Sequence, residues 1–204
     1  MFPMPLFSHP TKAALVTTMV RLLDERDLED ITTELVLHES GISRSSLYHH
    51  FADFGELIEA AEVIRFTRFV DYSIRTITEG ILGADTREKL AQALRIVTRA
   101  TQPASRGSIR AQRVTLLGHA SRNPRFAQRL GIEQERMTEA LADLIREGQG
   151  RGLMNTRLDA RAVAVLLQAY TIGKIVDDIT PNHMSDDAWI ALIDELLDNV
   201  LLAD

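Results

Sequence analysis

From Thr11 to Gln102 the chain contains no proline, and apolar residues recur three and four apart, as at Leu15, Met19, Leu22 and Leu23. That is the period of one helix face, and no residue in the span interrupts it by removing a backbone N–H. No stretch alternates apolar and polar residues long enough to predict a strand, and no Asn-Gly or Asp-Gly pair marks a hairpin. The expected class is all-α, with about nine helices delimited by start and stop signals.

The first helix is expected over 11–26, followed by a short pair at 32–39 and 43–50. Asp53 and Glu56 have capping-box spacing and should open a long helix ending near Gly80 or Gly83. Asp85-Thr-Arg-Glu88 repeats the pattern and opens a helix to about Thr101; another should end near Ala120. Asn123-Pro124 pairs an N-cap with proline at the first helical position, and Gly148, Gly150 and Gly152 should stop that helix after Glu147. Asp159 and Ser185 are the caps expected for the last two helices, over 159–178 and 185–202.

The stretch richest in information is ITTELVLHESGISRSSLYHHFADFGELIEAA, residues 31–61. A short helix, a Ser-Gly turn and a second short helix predict a helix-turn-helix. Gly41 supplies the backbone freedom of the turn, Ile42 plugs the space between the helices, and Ser43 caps the second helix. Leu47 and Phe51, four apart, should face the core and leave Arg44, Ser45, Tyr48 and His49 outward.

Gly41-Ile-Ser-Arg-Ser-Ser-Leu-Tyr-His-His-Phe51 resembles the recognition-helix signature of the TetR family of transcriptional regulators, a Gly-[Val/Ile]-Ser followed by Leu-Tyr-x-His-Phe. Thr32, Glu56, Leu57 and the first-helix leucines Leu15, Leu22 and Leu23 fit in register. The resemblance implies an N-terminal helix-turn-helix domain at 1–52, with 1–10 a flexible arm, and a helical ligand-binding and dimerisation domain at 53–204. It implies that Thr32, Tyr48 and His49 contact phosphates and that Arg44, Ser45 and Ser46 lie near base edges, Arg44 against a guanine. Ser43 would present the helix start to phosphate, and Lys12 with the arm would reach backbone or minor groove. His50 is expected on a different face.

Several positions depart from the family pattern. Asp27 stands where glycine is usual, and aspartate tolerates a left-handed turn better than most residues. Leu35 and Leu37 replace smaller or polar residues, which predicts a repacked core. Phe54 occupies the place of a phosphate-contacting lysine. Charge deepens that deficit: residues 1–60 hold four basic and ten acidic side chains, and so carry the whole net charge of −6. DNA-binding surfaces are ordinarily basic.

The same resemblance predicts a ligand cavity among the helices of 54–150, with Phe66, Phe69, Tyr72, Leu117, Met137 and Leu141 as lining and Arg113 and His119 as polar contacts. It pairs the last two helices with their twin in a four-helix bundle through Val163, Leu166, Leu167, Tyr170, Gly173, Trp189, Ile193, Leu196, Leu197 and Val200. The expected partners are a double-stranded DNA operator, a small-molecule effector and a second copy of the chain, with no membrane, cofactor or metal.

With no cysteine, thiolate zinc sites and cysteine nucleophiles are excluded, and a cytoplasmic protein is expected. No apolar run approaches the roughly 20 residues a membrane span needs. The arm, MFPMPLFSHP, is broken by prolines and lacks the basic start of a signal peptide. No phosphate loop, Gly-x-Ser-x-Gly elbow or paired-carboxylate motif argues for an enzyme. The arginines from Arg95 to Arg129 read as a solvated face, and Asp177-Asp178 and Asp186-Asp187 as solvated helix ends. Two functions stay open: a ligand-responsive repressor, or a dimeric ligand-binding protein of the same fold that has lost DNA binding and works through a protein partner.

Overall fold

The computed structural model describes residues 9–202, so residues 1–8 of the expected arm lie outside the described residues. The described residues form helices and turns, with no strand. Packing divides the chain into two compact units, at Phe69 and Val70, inside one continuous helix.

In the first unit, α1 (Pro10–Glu25) begins where the Thr11 N–H donates to His9 Nδ1 at 3.3 Å. Its inner face buries Leu15, Val16, Met19, Val20, Leu22 and Leu23 against α2 (Thr33–Ser40) and α3 (Arg44–His50). The chain leaves α1 through Asp27 in extended backbone, at φ −69°, and a 3-10 turn at Leu28–Asp30. The left-handed turn expected at Asp27 is therefore absent, because the short 3-10 turn reverses the chain without it. α2 is capped by Thr32 Oγ1, which accepts from the Leu35 N–H, and α3 by Ser43 Oγ, which accepts from Ser46. Between them Gly41 takes φ 67° and ψ 17°. α4 (Phe54–Leu82) opens on reciprocal bonds: the Glu56 N–H donates to Asp53 and the Ala52 N–H donates to Glu56.

Leu47 and Phe51 are buried, as their spacing predicts, together with Val36, Leu57 and Ala61. Leu35, Leu37, Ile42 and Phe54 pack on the margin of that core. One contact ties the start of α1 to the end of α3: the His9 and His50 rings lie 4.3 Å apart, with His49 5.1 Å from His50. Partial burial, then the neighbouring His9, His49 and Lys12, hold the His50 pKa below its ordinary value.

The second unit contains α5 (Arg87–Thr101), α6 (Gly107–Ala120), α7 (Pro124–Gly150), α8 (Ala160–Gly173), the single turn α9 (Ile175–Asp178) and α10 (Asp186–Leu196), which continues as a π-helical turn at Leu197–Leu201. α7 packs along α8, α6 touches both, and α5 packs on α10. Asn123, Asp159 and Ser185 cap their helices as expected. Thr86, not Asp85, caps α5, and Asp85 pairs with Lys89 instead. α7 passes the predicted stop after Glu147 and runs to Gly150; Gly148 lies against Met154, whose Sδ would stand 2.7 Å from a Cβ there, so that position has room only for glycine. The helix expected over 159–178 is interrupted at Lys174, which turns inward.

Lys174 belongs to a buried polar network. Its Nζ donates to the Gln102 carbonyl and to Asp186, both at 2.8 Å. The Gln102 side chain accepts from Trp189 Nε1 at 2.9 Å and donates to Thr171. Asp186 also accepts from the Ala104 N–H. The Lys174 ammonium, followed by that N–H, holds the Asp186 carboxyl below its usual range. Arg110, 2% exposed, donates to Asp178 at 2.5 and 2.7 Å and to the carbonyls of Thr101 and Pro103. The expected solvated roles of Arg110 and Asp178 are thus corrected, while Asp186 keeps 37% of its side chain exposed at the start of α10, as expected. These groups fix the α5–α6 connection to α8, α9 and α10, because its free carbonyls and N–H must be satisfied out of water.

Three outcomes follow. Asp178→Asn leaves the Arg110 charge buried without its carboxylate and should cost about 3–5 kcal/mol in denaturant unfolding. Lys89→Ala, at an exposed pair, should leave the midpoint unchanged. His50 binds its proton more weakly folded than unfolded, so its contribution to stability is present above about 6.5 and is lost as pH falls through the lowered folded value. His50→Gln should flatten the fall in melting temperature between about pH 7.5 and 5.5.

Candidate nucleic-acid interface

The geometry of α2 and α3 follows from the turn between them. Gly41 ends α2 in left-handed backbone, Ser43 starts α3, and Leu47 anchors α3 with no exposed surface. With Leu47 and Phe51 inward, Ser43, Arg44, Ser45, Tyr48 and His49 are exposed, and Thr32 is exposed at the start of α2. Tyr48 is 45% exposed, enough to present its hydroxyl to a large partner. Ser43 Oγ lies 3.0 Å from Ser45 Oγ and 2.9 Å from Ser46 Oγ, so the three hydroxyls form one local cluster in which Ser46 is half-buried. Lys12 is half-buried, with its Nζ 5.1 Å from the centre of the Phe51 ring. His50 is drawn to His9, away from the outward row.

The electrostatics of this unit are set by internal pairing. Arg21 bridges Glu25 at 2.9 Å and Glu39 at 2.8 Å. Arg65 pairs with Asp24 and Glu62, and Arg68 lies 3.6 Å from Asp24. Arg44 Nη2 donates to the carboxylate of Glu34, in the first turn of α2. The Glu34 carboxyl is held below its usual range by its own backbone N–H and then by Arg44. Sequence reasoning missed Glu34; ten residues separate the pair, and only the left-handed turn brings the two helix starts together. Phe54 packs on the core, so the position that carries a lysine in the family pattern offers no charge here.

The residues expected around a ligand fall in different places. Phe66 and Phe69, stacked at 5.9 Å, belong to the first unit, and Phe66 is buried. In the second unit Arg113, Met137 and Leu141 are buried. Burial pushes the Arg113 guanidinium down to about 10. Tyr72, 61% exposed, lies under Arg75, Leu117 is exposed, and His119 is exposed with its ring 4.9 Å from Phe126. Of the expected lining, Arg113, Met137 and Leu141 are thus withdrawn from solvent in the second unit, and Tyr72, Leu117 and His119 are not.

The residues expected at a dimer contact also divide. Val163, Ile193 and Leu197 are buried within the chain, Trp189 turns to Gln102, and Leu167 and Tyr170 are half-buried. Leu166, Leu196, Val200 and Gly173 are exposed, joined by Leu192 of the same α10 stripe and by Val165 and Val176, which the apolar spacing did not single out. The stripes on α8 and α10 are wider than one face, and only packing shows which side the chain covers itself.

Among the described residues no group of three or more acidic or histidine side chains could hold a metal, and no helix is long and apolar enough to cross a membrane.

A family model for the C-terminal region of BetI-type transcriptional repressors matches residues 86–202. The HTH-type transcriptional regulator UidR of Escherichia coli K12 is 23% identical over 197 residues, covering 90% of this chain and 89% of that protein. Among solved structures, Salmonella enterica GusR superposes with a TM-score of 0.61 at 20% identity, covering 96% of this chain and 98% of that one. A TetR-family regulator from Mesorhizobium loti gives 0.63 at 16% identity, covering 92% and 93%. A transcriptional regulator from Saccharomonospora viridis, solved with choline, gives 0.63 at 16%, covering 94% and 97%. These proteins are regulators, not enzymes, and with the family match spanning more than half of its length the chain belongs to the TetR family of transcriptional regulators.

Proposed function

We propose that this regulator is a repressor that binds a palindromic DNA operator as a homodimer and is released by a small-molecule effector. The observation that carries the reading is the outward row Arg44, Ser45, Tyr48 and His49 on a helix whose inner face is locked by Leu47 and Phe51. Arg44 offers a planar donor pair suited to the O6 and N7 of guanine. Thr32, Ser43, Ser46, Tyr48, His49 and Lys12 supply hydroxyl, imidazole and ammonium contacts to the backbone. Residues 1–52 read DNA in this account, and 53–204 bind the effector and pair the subunits.

A single short recognition helix makes few contacts, and two-fold symmetry doubles them on half-sites about one DNA turn apart. The apolar surface left by Leu166, Val176, Leu192 and Leu196 supports self-association through α8–α10. Effector control rests on the choline-bound neighbour and on α4, which runs unbroken from the end of the helix-turn-helix to Leu82. An effector that binds better to a state whose recognition helices no longer match the grooves weakens DNA binding by its difference in affinity for the two states, about 1–3 kcal/mol.

The acidic N-terminal unit, with Arg21, Arg44 and Arg65 already paired to carboxylates, favours one other reading: a dimeric ligand-binding protein that acts through a protein partner. Binding to the palindromes flanking its own gene, at about 50 and 200 mM salt, separates the two. The repressor reading expects retention at low salt with a shallow salt slope. Arg44→Ala should cost about 1–3 kcal/mol of discrimination at one base pair. Tyr48→Phe should weaken all duplexes alike. No sequence-specific retention at low salt would favour the partner reading. In sedimentation, Leu166→Asp with Leu196→Asp should give a folded monomer, whereas Ile193→Asp should unfold the second unit because Ile193 is buried. A double variant that stays dimeric would remove α8–α10 as the interface.

A further inference from the structure

Resting on that DNA-reading account, we propose that Glu34 is a specificity-determining residue that acts through Arg44. It holds the guanidinium at the start of α3 and withholds it from phosphates, so that only a guanine edge in the right place competes for it. The geometry is the ion pair between Glu34, in the first turn of α2, and Arg44, the first residue of α3. Both side chains are exposed, so in free protein the pair changes stability little and its consequence lies in binding.

The two kinds of DNA encounter ask different things of this pair. On arbitrary sequence Arg44 can gain only a phosphate oxygen, and to take it must leave one carboxylate for another anion. Glu34, also bonded to its own backbone N–H, then stands beside the phosphate chain as an uncompensated negative charge. On a matched site the planar fork meets O6 and N7 together, a bidentate contact worth tenfold or more in affinity, while its remaining N–H groups can keep Glu34. Glu34 therefore penalises the non-specific complex more than the specific one. In a unit whose cations Arg21 and Arg65 are also engaged by carboxylates, discrimination is gained by lowering background affinity rather than by adding contacts.

The test uses the full-length protein, a random-sequence duplex and a duplex that the wild-type protein selects from a random pool, read by fluorescence anisotropy across a salt series. Glu34→Gln should raise affinity for the random duplex by about tenfold and steepen its salt slope by about one phosphate contact. Affinity for the selected duplex should change by less than about threefold, so the specificity ratio falls. In an Arg44→Ala background the same substitution should leave the ratio unchanged, which a merely structural role for Glu34 would not produce. An unaltered ratio in the wild-type background overturns the proposal alone. Lost affinity for the selected duplex also overturns it, since Glu34 would then be reading a base itself. If neither form retains any duplex, the DNA-reading account fails and the proposal with it.

Discussion

Gly41 sits at φ 67°, a backbone region that costs most L-residues about 1–2 kcal/mol, and the N-terminal unit depends on that single turn. It stops α2 after Ser40 and lets α3 begin at Arg44, across α1 rather than along α2. Only then can Leu47 and Phe51 drop into the cluster made by Leu15, Met19, Leu22 and Val36. Once those two are buried, the 3.6-residue period leaves no freedom about what faces outward. The same turn joins the starts of α2 and α3, so the pairing of Arg44 with Glu34 is a consequence of the fold and not of local sequence.

The N-terminal unit, short of positive charge, pairs most of its arginines internally. Arg21, Arg44 and Arg65 are each engaged by carboxylates of the same unit, and Phe54 is committed to packing. A surface of this kind attracts DNA weakly at long range, because the steering potential of free cations is largely cancelled. Recognition then depends on contacts that form only at close approach: hydroxyls, imidazoles and one planar guanidinium. The dimer proposed above fits that economy, since symmetry multiplies specific contacts without adding charge.

The second unit shows a different balance. Beside an apolar core, its interior carries charged and amide groups, Arg110 with Asp178 and Lys174 with Gln102 and Asp186, while α8–α10 leave Leu166, Val176, Leu192 and Leu196 at the surface. A buried ionic network is a weak source of net stability, but it restricts the arrangements that satisfy every group. Here it ties the end of α5 to the helices proposed to meet the partner, so the orientation of that apolar surface is set from inside.

The sequence by itself determined the helical class, the caps at Ser43, Asp53, Asn123, Asp159 and Ser185, the turn at Gly41 and the inward placement of Leu47 and Phe51. All of these are local: a cap needs a side-chain oxygen within a turn of its amide, and a face needs only the period of a helix. What only the tertiary structure decided involves partners far apart in the chain. Arg110 meets Asp178 across 68 residues, and Trp189 meets Gln102 across 87. Arg44 meets Glu34 through a turn of unusual hand, and Val163, Ile193 and Leu197 are covered while Leu166 and Leu196 are not. Composition and spacing show that a side chain is charged or apolar, but which group it meets depends on how the helices cross, and that is settled by packing them all at once.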